Sequence, residues 1–172
     1  MPTIYYDEVP TPLGNMQVGI TEKGICMFEF PIEERIIGHK KKISETHTES
    51  TTKPNNVFGA LKMQMNEYFE DGRSVFDLPI DLIGTEFQCQ VWKSLLQVPF
   101  GKTISYLELA VQLGNPKSVR AVAQANGQNR LPIIVPCHRI IASNGKLTGY
   151  SGGLWRKEIL LSKENGQSRL IF

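Results

Sequence analysis

The sequence predicts an α+β fold in two parts: residues 1–84 form a small antiparallel sheet with a helix, and residues 85–172 form a helical domain with a helix-turn-helix-like motif. Three observations predict it. Short apolar runs punctuated by Gly-containing turns fill the first 30 residues. Helix start and stop signals follow one another closely after Thr85. The charge also changes sign at the boundary, with 8 Lys+Arg against 13 Asp+Glu up to Gly84, and 11 against 4 beyond it, none of them Asp.

The 172 residues suffice for one ordinary domain or two small ones, and 41% apolar residues exclude a disordered or fibrous chain. The longest strongly apolar run, Leu131 to Val135, is interrupted by Pro132 and falls far short of the ~20 residues that span a bilayer. Met-Pro-Thr-Ile-Tyr-Tyr-Asp-Glu at the start lacks the basic and apolar regions of a signal peptide. No membrane partner is expected, and the expected location is intracellular, cytoplasmic or nuclear according to source. Cys26, Cys89 and Cys137 are odd in number and have no paired spacing, which argues against a disulfide framework and for a reducing compartment.

In the first part, Thr3 to Val9, Met16 to Thr21 and Ile25 to Phe30 read as strands separated by Thr11-Pro12-Leu13-Gly14 and Glu22-Lys23-Gly24. His39 to Asn56 is almost wholly polar and reads as a mobile loop. Val57, Leu61, Met65 and Tyr68 recur at helical spacing, Asp71-Gly72 ends that helix, and Phe76 to Leu82 reads as a last strand.

In the second part, Thr85 with Gln88 and Ser105 with Glu108 have the spacing of capping boxes, each followed by apolar residues at helical intervals. Gly114 suits a helix C-cap, and Asn115 can cap a third helix that starts at Pro116 and runs to about Asn126. Two short helices across a Gly-Asn-Pro turn have the pattern of helix-turn-helix. Lys117, Arg120 and Gln124 fall on one face of the second, opposite Val119 and Val122. A basic stripe on the positive half points to a polyanionic partner; the bland alternative is a solvated helix face.

The reactive side chains gather at Cys137 and His138, which follow an apolar run read as a strand and then Pro136. A cysteine reacts as its thiolate, and His138 and Arg139 supply a base and a positive charge. Adjacent residues rarely face each other, so a water would bridge Cys137 and His138. His138 then needs an orienting carboxylate. Only Glu86, Glu108, Glu158 and Glu164 are available; the first two sit at helix starts, which favours the last helix as the source.

Arg-Ala-Val-Ala at 120 to 123, Asn129, Pro-Cys-His-Arg-Ile at 136 to 140 and Gly-Tyr-Ser-Gly-Gly-Leu at 149 to 154 resemble the O6-alkylguanine-DNA alkyltransferases, with unbroken spacing from Phe87 to about Glu164. The resemblance implies a ribonuclease H-like first domain and a winged helix-turn-helix-like second one. It implies a monomer that binds double-stranded DNA through the minor groove and flips out an alkylated guanine, with Arg120 entering the stack and Asn115, Lys117 and Ser143 near the backbone. Cys137 would accept the alkyl group, His138 would take its proton, Glu164 would orient His138, and Asn129 would brace the turn. Tyr106, Pro132, Ile140, Tyr150, Ser151 and Gly152 would form the alkylguanine pocket, with Tyr106 and Ser151 hydrogen-bonding the base. Neither a metal nor a cofactor is implied. The sequence departs from the family pattern at Arg130, where many members have proline. Two other readings compete: a damage-binding module without transfer, which would not need Cys137, and a cysteine hydrolase, which would leave Arg120 and the helix-turn-helix unexplained.

Overall fold

The computed structural model describes residues 1–54 and 56–166, and the chain divides into two compact units, Met1–Ile83 and Gly84–Phe172. In the first, β1 (Thr3–Thr11), β2 (Gly14–Thr21) and β3 (Gly24–Glu29) form an antiparallel meander, extended by a two-residue strand β4 (Thr48–Glu49) parallel to β1. The sheet order is β3-β2-β1-β4. Ile4, Val9, Met16, Val18, Ile20 and Phe28 are buried, as the apolar runs require. The β2–β3 turn needs glycine: Gly24 has φ +145°, and a Cβ there would lie 2.4 Å from the Pro79 carbonyl oxygen.

Two helices complete this unit, α1 (Glu33–Ser44) and α2 (Val57–Glu70). The second lies where its periodicity places it, with Leu61, Met65 and Tyr68 buried and Gly72 at φ +74° just past its end. The segment read as a mobile loop is different: α1 runs through Ser44, and Thr48–Glu49 pairs with the sheet. Local charge and tertiary contacts, rather than an apolar stripe, stabilise α1. Glu33 and Glu34 in its first turn and Lys41 and Lys42 in its last complement the helix dipole. Arg35 and His39 reach the fully buried Glu29 carboxylate at 2.8 and 2.9 Å, and Ile43 is fully buried. The expected strand from Phe76 to Leu82 is also absent, reduced to one parallel bridge between Ile25 and Ile80. Pro79 has no N–H to give a ladder, and the Gln64 carboxamide takes both backbone groups of Asp77, at 2.8 and 2.9 Å.

The second unit contains α3 (Glu86–Leu95), β5 (Ile104–Ser105), α4 (Tyr106–Gln112), α5 (Val119–Gly127), β6 (Ile140–Ile141) and α6 (Leu154–Glu164). Both capping boxes are formed, Thr85 with Gln88 and Ser105 with Glu108. Gly114, at φ +79°, ends α4, and the Asn115 side chain accepts from the Lys117 N–H at 3.2 Å. The third helix begins with a single 3-10 turn, Pro116–Ser118, before α5 proper. Val122 and Ala125 are buried in α5, whereas Lys117, Arg120 and Gln124 are exposed. Strands β5 and β6 pair in parallel as a short ribbon. No helix among the described residues is long and apolar enough to cross a membrane.

Candidate active site

The run from Leu131 to Val135, expected as a strand, is a buried turn. Apolar content alone does not distinguish the two, and here hydrogen bonding decides. Asn129 Oδ1 accepts from the Leu131 N–H at 3.0 Å, its Nδ2 donates to the Val135 carbonyl at 2.8 Å, and the Val135 N–H closes on the Leu131 carbonyl at 2.8 Å. The turn holds Ile133 at φ +75°, a conformation disfavoured for a β-branched residue and maintained by full burial. Every residue from Asn129 to Ile140 is buried. Arg130, the departure from the family pattern, lies 5.7 Å from the Trp92 ring, and Trp92 Nε1 donates to the Ala125 carbonyl.

This turn delivers Cys137 and His138 into a 3-10 turn, Cys137–Arg139. Cys137 is 5% exposed, with Sγ 3.9 Å from the Tyr150 hydroxyl. Behind it, fully buried His138 contacts Glu164 Oε1 through Nε2 at 2.7 Å. Arg139 grips the same carboxylate with Nε at 2.8 Å and Nη2 at 3.0 Å, and sends Nη1 to the Val98 carbonyl at 2.6 Å. The Gly101 N–H adds a fourth donor at 3.3 Å. Burial alone would raise the Glu164 carboxyl, but the hydrogen bond from His138, joined by its charge once acid protonates the imidazole, and then the hydrogen bonds and charge of Arg139 hold it well below the usual carboxylate range.

His138 is pushed down, first by burial, with the Arg139 and Lys157 charges adding to it, against the opposing pull of Glu164. The imidazole is therefore neutral at pH 7, and its contact with Glu164 is a charge-assisted hydrogen bond. An ionised carboxylate can only accept, so Nε2 carries the hydrogen and Nδ1 presents a lone pair. Nδ1 has no hydrogen-bond partner among the described residues.

Lys157 was not singled out by sequence. It is fully buried, donates through Nζ to the Ile140 carbonyl at 2.6 Å and lies 5.9 Å from the Tyr150 ring. Burial lowers its pKa, and attraction to Cys137 opposes this. Its one sequence signal is the spacing of seven from Glu164, which puts both on one face of α6 together with buried Leu160 and Leu161.

Tyr106, the first residue of α4, is partly buried. Its pKa is raised by burial and then by the Cys137 charge, while a hydrogen bond from Asn126 opposes both. Pro132, Ile140 and Gly152 are buried and Tyr150 is partly so. Ser151 is exposed, and its hydroxyl donates to the Gly127 carbonyl at 2.8 Å, so that proton is already committed. Thus Cys137, His138 and Glu164 converge, with Tyr106, Tyr150 and Lys157 around the thiol. Arg120, Asn115, Lys117 and Ser143 are surface residues of α5, the preceding turn and the turn after β6.

Fold and site together define an α+β protein of two units, whose second unit encloses a thiol backed by a neutral imidazole and a buried carboxylate. Residues 86–166 match the 6-O-methylguanine DNA methyltransferase DNA binding domain, and residues 4–82 match the ribonuclease-like domain of the same enzymes. The chain belongs to the 6-O-methylguanine DNA methyltransferase family. It is 42% identical over 168 residues to the methylated-DNA-protein-cysteine methyltransferase of Mycobacterium tuberculosis H37Rv, covering 96% of this chain and 94% of that one. It is 42% identical over 148 residues to the constitutive enzyme of Bacillus subtilis, covering 86% and 87%. A crystal structure of Mycobacterium tuberculosis OGT in complex with DNA superposes with a TM-score of 0.80 at 38% identity, covering 96% of each chain.

Proposed function

We propose that the chain repairs DNA by transferring an alkyl group from O6-alkylguanine in a duplex to its own Cys137, once per molecule and without a cofactor. The observation that carries this reading is the Glu164–His138 contact at 2.7 Å directly behind a buried cysteine, in the unit whose α5 and preceding turn expose Lys117, Arg120 and Gln124. The crystallised relative in complex with DNA supports DNA as the partner. Arg120 enters the stack from the minor groove as the damaged base rotates out, and Asn115, Lys117 and Ser143 lie against the backbone.

His138 Nδ1 takes the Cys137 proton through a bridging water, and Glu164 holds the imidazole in the tautomer that can do so. The Lys157 charge favours the resulting thiolate. Sγ attacks the alkyl carbon in line, an S–C bond forms as the C–O6 bond breaks, and the electron pair leaves on the guanine. Tyr106 donates a hydrogen bond to that developing charge. The base packs among Pro132, Ile140, Tyr150, Ser151 and Gly152. The product is a thioether, which offers water no activated carbonyl, so each molecule reacts once. Asn129 braces the turn on which Cys137 sits.

Peptide mass spectrometry after mixing the protein with a duplex containing one O6-methylguanine tests the reading. One methyl group on the Cys137 peptide, never exceeding one per chain and not recovered on standing, is the expected result. An unmodified Cys137 in a protein that binds the lesion tightly would replace this reading with that of a damage-binding module.

A further inference from the structure

Tryptophan is mostly buried in folded chains, and one of the two here lies open. Trp92 is 1% exposed, whereas Trp155, in the first turn of α6, is 51% exposed beside Leu154 at 46%. The Trp155 ring is nevertheless held in place. Gly153, at φ +93°, lies against its edge, where a Cβ would come within 3.2 Å of Nε1. The Arg156 guanidinium lies 4.4 Å from the ring centroid, and its Nη1 donates to the Gly152 carbonyl at 2.8 Å. A cation is thus fixed beside an exposed aromatic side chain.

The position of this platform points to its partner. Ser151 and Gly152 belong to the loop proposed to line the alkylguanine pocket, and the Ser151 hydroxyl ties that loop to the Gly127 carbonyl at the end of α5. A duplex that feeds a rotated base into the pocket must pass over this loop, and Trp155 borders it. The charge agrees, since between Glu108 and Glu164 the chain has eight lysines and arginines against one acid, Glu158, a balance that favours a polyanion. Beside a flipped nucleotide, a DNA strand presents the apolar faces of deoxyriboses and the phosphates that join them. We propose that Trp155 packs on a deoxyribose of the strand flanking the flipped nucleotide, with Arg156 set against the adjoining phosphate. This rests on the alkyl-transfer reading and adds a contact separate from that of α5. Sugar and phosphate carry no sequence, so the contact serves damaged and undamaged duplexes alike.

Acrylamide quenching of tryptophan fluorescence tests the contact on the unaltered protein, because Trp92 is buried. The difference between the unaltered protein and Trp155→Phe gives the Trp155 signal. Saturation with an undamaged duplex too short to seat two molecules is expected to lower the quenching constant of that signal. In fluorescence anisotropy, Trp155→Ala should weaken duplex binding at least about fivefold through lost apolar contact, without changing the slope against log salt concentration. Arg156→Gln should reduce that slope by about 0.9. Unchanged quenching in the complex, or unchanged affinity in a folded Trp155→Ala, overturns the proposal, and the quenching readout does not depend on the alanine variant folding. Protection that develops only on duplexes long enough for two molecules also overturns it, since a second copy would then cover the ring. A protein whose Trp155 is shielded by DNA but whose Cys137 is never methylated by an O6-methylguanine duplex would instead overturn the alkyl-transfer reading.

Discussion

Glu164 is the side chain on which the charge balance of the site depends. It is the only counter-charge for Arg139 among the described ion pairs, and its carboxylate also holds His138. Glu164→Gln therefore leaves a buried guanidinium without a partner charge, and we expect a loss of about 3–5 kcal/mol in urea unfolding. His138 and Glu164 both have folded pKa values below their ordinary ones, so on acidification the unfolded chain binds protons first. Stability should be full above the ordinary histidine value of 6.5 and fall as the pH drops below it. His138→Gln should flatten the first part of that decline, from about pH 6.5 to 4.5 in urea midpoints measured at fixed ionic strength. Cys137 and His138 stood out in the sequence because thiol and base are chemically conspicuous, whereas the carboxylate was narrowed only to the last helix and it was the family resemblance that named Glu164, which lies 2.7 Å from His138. Lys157 and Asn126 did not stand out, since a lysine in a helix reads as solvent-facing and an asparagine near a helix end reads as a cap; only the packing around Cys137 shows them to be buried.

At the scale of elements, what was legible is what local chemistry decides. Both capping boxes formed because each needs only residues three apart, and α2 formed because its apolar face repeats at 3.6 residues. The polar helix α1 was missed because the Glu29 carboxylate that Arg35 and His39 satisfy lies on a strand. The Leu131–Val135 turn was missed because its decisive hydrogen bonds come from Asn129, outside the apolar run. The capping box at α4 also adjoins the proposed site, since Tyr106 is the first residue after the Ser105 cap. Ser105→Ala should cost about 1 kcal/mol in chemical denaturation. It should also slow transfer to Cys137, because the first turn of α4, which carries Tyr106, loses the Ser105 hydroxyl that accepts from the Glu108 N–H; Thr85→Ala, at the start of α3, should show a comparable stability loss and a smaller rate effect.

Across the whole molecule, charge separates by unit more sharply than the net value of +2 suggests. The first part is acidic and the second basic, so the excess positive charge lies in the unit that contains α5 and Cys137. Binding to an undamaged duplex should weaken linearly with log salt concentration. Lys117→Ala should reduce that slope by about 0.9, the contribution of one phosphate contact, while Lys40→Ala, on α1, should leave it unchanged. Fluorescence anisotropy across a salt series measures both. The split was legible in the sequence, because counting charges needs no structure. Which basic residues face solvent was not: Arg130, Arg139 and Lys157 belong to the positive half but are buried.

The way α6 ends has one more consequence. The last turn of a helix usually opens and closes freely. In α6 that turn carries Glu164, clamped by His138, Arg139 and the Gly101 N–H. Its amide hydrogens should therefore exchange with deuterium as slowly as those of the interior, and the isotope pattern of this one peptide would register any disturbance of the imidazole behind Cys137.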